Sequence, residues 1–325
     1  MEVGMREPIA VLISSYERLE GLWTLLAALD RQRLGLIEDA AVELVVVDNS
    51  GRRSAEALCK AFAERSRFRL TYVDEPRRGL SFARNASLRA ASSLGAVYGA
   101  FIDDDEVPAP DWLASLHLAL ASGHAAAAVG PVYPVFGRVP PPWSVDGAFF
   151  SKKLTPVGPS LEDGYTSNAL VRLDVLRKHG LTFDLRCNLT GGEDTLLFSE
   201  LRRRGETIVW AETARVDELI PAHRIQRAWV IRRWFRTGGT IVDCAGARDE
   251  RSIGRLAFEG TARIAFGAVH LAYSLIRHPF RSERHVAALF TLSRGAGVVA
   301  ATLGRRHLEY GSLIRPDGSN KRATS

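Results

Sequence analysis

The 325-residue sequence is poor in cysteine. Its three cysteines, Cys59, Cys187 and Cys244, are far apart and odd in number. No spacing among them resembles a zinc site, which argues against structural zinc and a disulfide framework. A reducing, cytosolic setting is the simpler reading. An N-terminal targeting pattern is also missing. Met1 to Pro8 carries two Glu and one Arg, and the apolar run behind it is only a strand long. There is no internal repeat and no low-complexity tract. With 46% apolar and 25% charged residues, disorder is excluded and a folded globular chain is expected.

Long apolar runs free of charge are lacking too. Leu256 to Ile276 and His285 to Leu303 approach spanning length, but Glu259, Arg263, His270 and Arg294 interrupt them. A charge near the centre of a span is costly. Helices lying on the bilayer interface, helped by flanking arginines, are the favoured reading. Packing helices and true spans are the alternatives. Charge is unevenly spread: Arg224 to Ser325 holds 18 Lys+Arg against 7 Asp+Glu, whereas Met1 to His223 holds 25 against 30. The acidic front suits metal and substrate work; the basic back suits an anionic surface.

What is present reads as alternating strands and helices. Ile9 to Ile13, Glu43 to Asp48, Phe68 to Val73 and Val97 to Ile102 are short apolar runs of strand length. Between them lie helical stretches: Leu19 to Leu29, one capped by Ser54 with Ala57, Leu58, Ala61 and Phe62 on one face, and one from Ser81 to Leu94. This alternation predicts βαβ units around a parallel sheet. Ligands then bind beyond the carboxyl ends of the strands. Ser14-Ser15-Tyr16-Glu17, Asp48-Asn49-Ser50 and Asp103-Asp104-Asp105-Glu106 stand at those ends. Further on come a Pro- and Gly-rich loop at 131–159, a strand at 166–173, a helix after Gly191-Gly192-Glu193-Asp194, and an Arg/Trp-rich helix from Ile225.

Four consecutive acids repel one another unless a cation binds, and a hard divalent ion with oxygen ligands answers that need. A solvated loop is the bland alternative, which the position at a strand end disfavours. Gly191-Gly192 allows close backbone approach. Glu193-Asp194 is either a general-base site or a pair of acids favoured by a helix dipole. Arg84 and Asn85 follow a Gly turn at a helix start, a place that suits phosphate. His223 is a metal or phosphate contact or simply a surface residue.

Together these motifs resemble family 2 glycosyltransferases, the inverting type with the GT-A fold, from about Pro8 to Gly239. The segment from Ile13 to Arg18 resembles the loop that holds base and ribose. Asp48 resembles the Asp that contacts uracil, Asp103-Asp104-Asp105 the Asp-x-Asp metal motif, and Glu193-Asp194 the Glu-Asp motif whose Asp is the base. Arg-Gly-Leu-Ser-Phe-Ala-Arg-Asn at 78–85 and Gly-Glu-Asp-Thr at 192–195 are similar to bacterial succinoglycan-type enzymes.

The resemblance implies an α/β fold, a Rossmann-like mostly parallel sheet flanked by helices, with a C-terminal helical extension. It implies a catalytic domain at 1–240 and a basic, membrane-associated region at 241–325. Ser14, Tyr16, Glu17, Asp48, Arg84, Asn85, Asp103 and Asp104 would bind donor. Asp103, Asp105 and His223 would hold Mn²⁺ or Mg²⁺, with Glu218 competing for the third place. Asp194, with Glu193, would take the acceptor proton. The expected reaction is metal-dependent, inverting transfer of one hexose from a nucleotide sugar, with UDP as carrier, to a saccharide or lipid-linked saccharide. The chain lacks the Gln-x-x-Arg-Trp motif of processive synthases; Gln226-Arg227-Ala228-Trp229 has the wrong order. The expected place is peripheral, at the inner face of the plasma membrane, with no nucleic-acid partner. Competing readings are an inactive nucleotide-sugar binder and a sugar-nucleotide pyrophosphorylase.

Overall fold

Short apolar runs ending in polar clusters build the sheet. The computed structural model describes residues 7–35, 37–38, 41–122, 124–146, 149–154, 160–188, 190–248 and 252–305. The first elements are β1 (Ile9–Ser15), α1 (Leu19–Leu29), β2 (Val42–Asp48), α2 (Glu56–Ala63), β3 (Arg69–Asp74), α3 (Leu80–Ser93) and β4 (Tyr98–Asp103). Next come β5 (Glu106–Pro108), α4 (Trp112–Ser122), β6 (Ala127–Val129), β7 (Val132–Phe136), α5 (Pro142–Asp146), β8 (Asn168–Arg172) and α6 (Leu173–Lys178). The last are α7 (Glu193–Arg203), β9 (Ile208–Trp210), β10 (Val216–Ile220), α8 (Arg227–Arg248), α9 (Ile253–Arg277) and α10 (Ser282–Thr302).

Contacts divide the chain into two compact units. One holds Met1–Val135, Ser151–Leu185 and Glu193–Leu219; the other holds Phe136–Phe150, Arg186–Gly192 and Ile220–Ser325. The expected boundary at 240 falls inside α8.

The first unit contains a seven-stranded sheet of order β3-β2-β1-β4-β8-β6-β9. β1 pairs in parallel with β2 and β4, and β2 with β3. β8 runs antiparallel between β4 and β6, and β9 is parallel to β6. Alternate strand residues face opposite layers. Val11, Ile13, Leu44 and Val46 join Leu22, Leu25 and Leu26 of α1, Phe62 of α2 and Trp112 of α4. Leu12, Val45 and Val47 join Ala83 and Ala86 of α3 and Phe198 and Leu201 of α7. A one-residue slip would reverse both layers, so burial on both faces fixes the register. Strand order reverses beside β1, since β2 lies on one side and β4 on the other. That switch point opens the crevice where open α/β sheets bind ligands.

One cap differs from expectation. Ser54 does not cap α2: its hydroxyl has no hydrogen-bond partner among the described residues. Asp48, at the end of β2, accepts from the Ala55 amide at 2.7 Å instead. The inward face of α2 is Leu58, Cys59 and Phe62, while Ala57 and Ala61 are exposed.

In the second unit, α10 packs against both α8 and α9. Small residues let these helices approach closely. A Cβ on Gly267 would meet the Leu292 amide nitrogen at 2.7 Å, and one on Gly260 would meet Val298 at 2.9 Å. Among the described residues no helix is long and apolar enough to cross a membrane. Aromatic residues of the Pro- and Gly-rich loop pack within this unit, Trp143 lying 6.1 Å from Phe149. Phe150 stacks on Trp229 with centroids 6.2 Å apart, and Phe149 lies 6.4 Å from Phe290. Residues 147–148 and 155–159 of that loop, and 306–325 of the C-terminal region, lie outside the described residues.

Candidate active site at the carboxyl ends of the parallel strands

The acidic run leaves β4 beside the end of β1, where Ser14 is in register with Asp103. Its four carboxylates take different environments. Asp104 is 4% exposed. It accepts from the Ser15 hydroxyl at 2.9 Å, the Tyr16 amide at 3.3 Å and Arg18 Nη1 at 3.0 Å. Arg18 Nη1 also reaches Asp105 at 2.8 Å. Asp104 therefore ties the acidic run to the β1 loop. Burial pushes its carboxyl up to about 6, against the pull of Arg18. Gly21 of α1 lies against the Asp104 carbonyl, with no room for a Cβ.

Glu106 turns inward. It accepts from the Asp103 amide at 2.9 Å and sits opposite Glu218 in the β5–β10 ladder. Lys152 Nζ stands 3.7 Å from Glu106 and 3.5 Å from Glu218. Burial, then the nearby Asp103, holds the Glu106 carboxyl well above the ordinary range. Asp103 and Asp105 keep access to solvent, with side chains 34% and 21% exposed.

One guanidinium joins the acidic run to α7. Arg84, buried on α3, donates to Asp103 at 3.3 Å and pairs with Glu193. Glu193 is 2% exposed. Its other oxygen, Oε2, has no hydrogen-bond partner among the described residues. Burial raises its carboxyl pKa and Arg84 opposes that rise. Asp194, next in the chain, is half-buried, and its Oδ1 accepts from the Thr195 amide at 2.7 Å. The chain enters this turn through Gly191 and Gly192 at φ 78° and 93°, a left-handed backbone that favours glycine. A Cβ on Gly192 would also strike Thr240.

Other expected donor residues fall into two groups. Ser14 and Tyr16 are half-buried, and Arg78 lies over the Tyr16 ring at 4.9 Å. Glu17 is exposed at φ 53° and pairs with Arg52 at 3.1 Å. Asp48 and Asn85 turn inward. Asp48 is fully buried and accepts from the Ser50 and Ala55 amides at 2.9 and 2.7 Å and from Tyr72 at 3.0 Å. These bonds outweigh burial and hold its carboxyl below the usual range. Asn85 clamps the Phe183 backbone, donating to its carbonyl at 2.8 Å and accepting from its amide at 2.9 Å. Both side chains shape the loops around the site. His223 is exposed in a short 3-10 turn of the second unit.

Among the described residues no three His, Cys, Asp or Glu side chains are grouped to cage a metal. The donor set still fits a hard cation. Mg²⁺-like ions commonly take one or two carboxylates and complete their shell with water and substrate phosphate. Asp103 and Asp105 are two carboxylates that keep partial access to solvent beside their arginine partners. Sequence reasoning missed Lys152, the inward turn of Glu106 and the pairing of Arg18 with Asp104 and Asp105. For Arg18 the only signal was a cation three residues beyond Ser15, in a loop facing four acids.

The fold sets the class first. The chain matches a Pyrobaculum calidifontis structure, mannosyltransferase PcManGT in complex with GDP-Man and Mn²⁺. The TM-score is 0.57 at 20% identity, covering 95% of this chain and 79% of that one. It also matches S. aureus TarS 1-349 in complex with UDP-GlcNAc, with TM-score 0.50, 14% identity and 92% of each chain covered. The fold is GT-A. Residues 10–180 match the model of Glycosyl transferase family 2. Over 278 residues the chain is 34% identical to the succinoglycan biosynthesis protein ExoM of Rhizobium meliloti (strain 1021), spanning 85% of this chain and 87% of that protein. The chain belongs to glycosyl transferase family 2.

Proposed function

We propose that this chain transfers one hexose from a nucleotide sugar to an acceptor hydroxyl, with inversion at the anomeric carbon, in exopolysaccharide assembly. The observation that carries the reading is the Arg84 bridge. One guanidinium reaches both Asp103 at the end of β4 and Glu193 in the first turn of α7. It links the acidic run to the first turn of α7, whose Asp194 is the proposed proton acceptor. Nucleotide sugars in the GDP-Man and UDP-GlcNAc complexes support the donor class, and the ExoM likeness supports the pathway. UDP is the proposed carrier.

Asp194 is the proposed general base. It is more open than its neighbour and stands where a helix starts. Glu193, buried on Arg84, is a positioning residue. Asp103 and Asp105 are the proposed ligands of Mn²⁺ or Mg²⁺, which when bound would neutralise charge on the leaving diphosphate. Ser14, Tyr16 and Glu17 line the nucleotide side, with Asp48 and Asn85 shaping its loops. Arg84 and Arg18 hold the acids in place, and positioning of this kind supplies much of the rate. The acceptor is a saccharide or lipid-linked saccharide. The enzyme works peripherally, at the inner face of the plasma membrane.

The test is release of nucleoside diphosphate by the purified protein across a panel of nucleotide sugars, with Mn²⁺, Mg²⁺ or EDTA. Metal-dependent release from one donor is expected. Donor binding without turnover, even with acceptor extracts, would point to an inactive binder. Absence of donor binding with or without metal would end the transferase reading.

A further inference from the structure

Helix α9 is buried on one side and apolar on the opposite, exposed side. Its inner side is made of Leu256, Gly260, Gly267 and Ser274, all buried. On the other side Phe258, Phe266, Val269, Tyr273 and Ile276 stand exposed, with Phe258 at 74%, Phe266 at 65% and Ile276 at 78%. At 3.6 residues per turn these five side chains fall within about 80° of one another, along about 27 Å of helix. Scattered single apolar residues on a surface need no explanation, but a contiguous stripe marks a contact site.

Charge selects the occupant. Residues 253–284 hold five arginines and two glutamates. Both acids are paired, Glu259 with Arg255 at 3.1 Å and Glu283 with Arg281 at 3.7 Å. Exposed Arg255 and Arg277 stand near the two ends of the stripe. A second copy seated on this face would set arginine against arginine. An anionic lipid surface would meet both the apolar stripe and the positive rim. Helices of this kind lie in the interface plane with the apolar face about 5–10 Å deep, and long basic side chains reach the headgroups.

We infer that the outer face of α9 is a membrane-docking surface for anionic lipid, inserting Phe258, Phe266, Val269, Tyr273 and Ile276 in the plane of the bilayer interface. The inference rests on the membrane-surface part of the proposed function and assigns it to one face of one helix.

The experiment is co-sedimentation of the full chain with vesicles of phosphatidylglycerol and phosphatidylethanolamine, and with vesicles of phosphatidylcholine alone. The wild type is expected to sediment with the anionic vesicles and to be released by high salt. The triple variant Phe266→Gln/Val269→Gln/Ile276→Gln keeps helix-compatible residues and should bind at least tenfold more weakly. A control, Leu118→Gln/Val139→Gln, removes exposed apolar side chains elsewhere and should bind like wild type. Equal urea midpoints would show that all three chains are folded. Three outcomes overturn the inference: wild type left in the supernatant with anionic vesicles, a folded triple variant that sediments like wild type, or a wild-type dimer that the triple variant splits without loss of vesicle binding. Donor turnover on the same preparations separates the two readings. Vesicle binding by a chain that turns over no donor leaves the docking surface standing and counts against the transferase.

Discussion

The two compact units bury side chains by different means, and the difference parallels the division of roles proposed above. In the first unit strands alternate, and every central strand is covered on both faces. Its polar residues gather at strand ends, where Arg18, Arg84 and Lys152 hold acids in fixed positions. In the second unit helices meet through glycines, and α9 keeps large apolar groups on its outer side. With its faces satisfied, the first unit leaves its crevice for the proposed chemistry. With an apolar face to spare, the second leaves a surface for the proposed docking.

The largest expected effect confines chemistry to the first unit. Asp194→Ala should lower turnover by about 10²–10⁴, the usual worth of a positioned general base. Vesicle binding should be unchanged, as measured on the same sample by sedimentation. A variant that lost both together would merge the two regions.

Arg84→Ala comes next. It leaves Glu193 and its neighbours without their cation in a buried site, a loss of about 3–5 kcal/mol. Urea unfolding would measure it. Arg84→Ala/Glu193→Gln should recover part of the stability but little of the activity, because Asp103 still lacks its anchor.

The helical seam offers a smaller and separate effect. Gly267→Ala places a Cβ against the Leu292 amide nitrogen at 2.7 Å. Overpacking of this kind costs about 1–3 kcal/mol. Thermal unfolding should show the loss while metal-dependent donor binding at the first unit stays as in wild type.

The smallest effect is a pair of opposite pH slopes within the first unit. The native state holds the Asp104 proton longer than the unfolded chain, with a carboxyl at about 6 against an ordinary 3.8. Its contribution to stability therefore falls as pH rises from about 4 to about 6. Asp48 is the reverse case: its carboxyl lies below the ordinary 3.8, so its contribution is present above that value and is lost as pH falls through the lower one. Asp104→Asn should remove the first slope and Asp48→Asn the second, read from urea midpoints of metal-free protein between pH 3 and 7.

Much of the first unit was legible. The runs at 9–13, 43–48, 68–73 and 97–102 are long enough to read as strands, and each ends on polar residues at the crevice. β5, β6 and β9 have three residues each, too short to carry a period. The antiparallel entry of β8 beside β4 is a matter of topology that no local pattern encodes. At the site, the acidic run and Glu193-Asp194 stood out by type. Which acid stays open did not, because burial depends on partners far away in sequence, such as Ser15 for Asp104 and Arg84 for Glu193. Asp48 and Asn85 have the composition of ligand contacts, yet their geometry serves loops. In α9 the sequence revealed an apolar stretch but not its two sides, since the inner side is written in glycine and serine.

On the proposed function, the acids after β4 and those opening α7 serve one site with divided roles, the former for donor and metal, the latter for the acceptor proton. Calorimetric titration of the donor, with and without Mn²⁺, into wild type, Asp105→Ala and Asp194→Ala tests it most directly. Metal-dependent binding is expected for wild type, its loss in Asp105→Ala, and its retention in Asp194→Ala, which binds but does not turn over. Equal donor affinity in Asp105→Ala and wild type, or binding indifferent to metal, would contradict it.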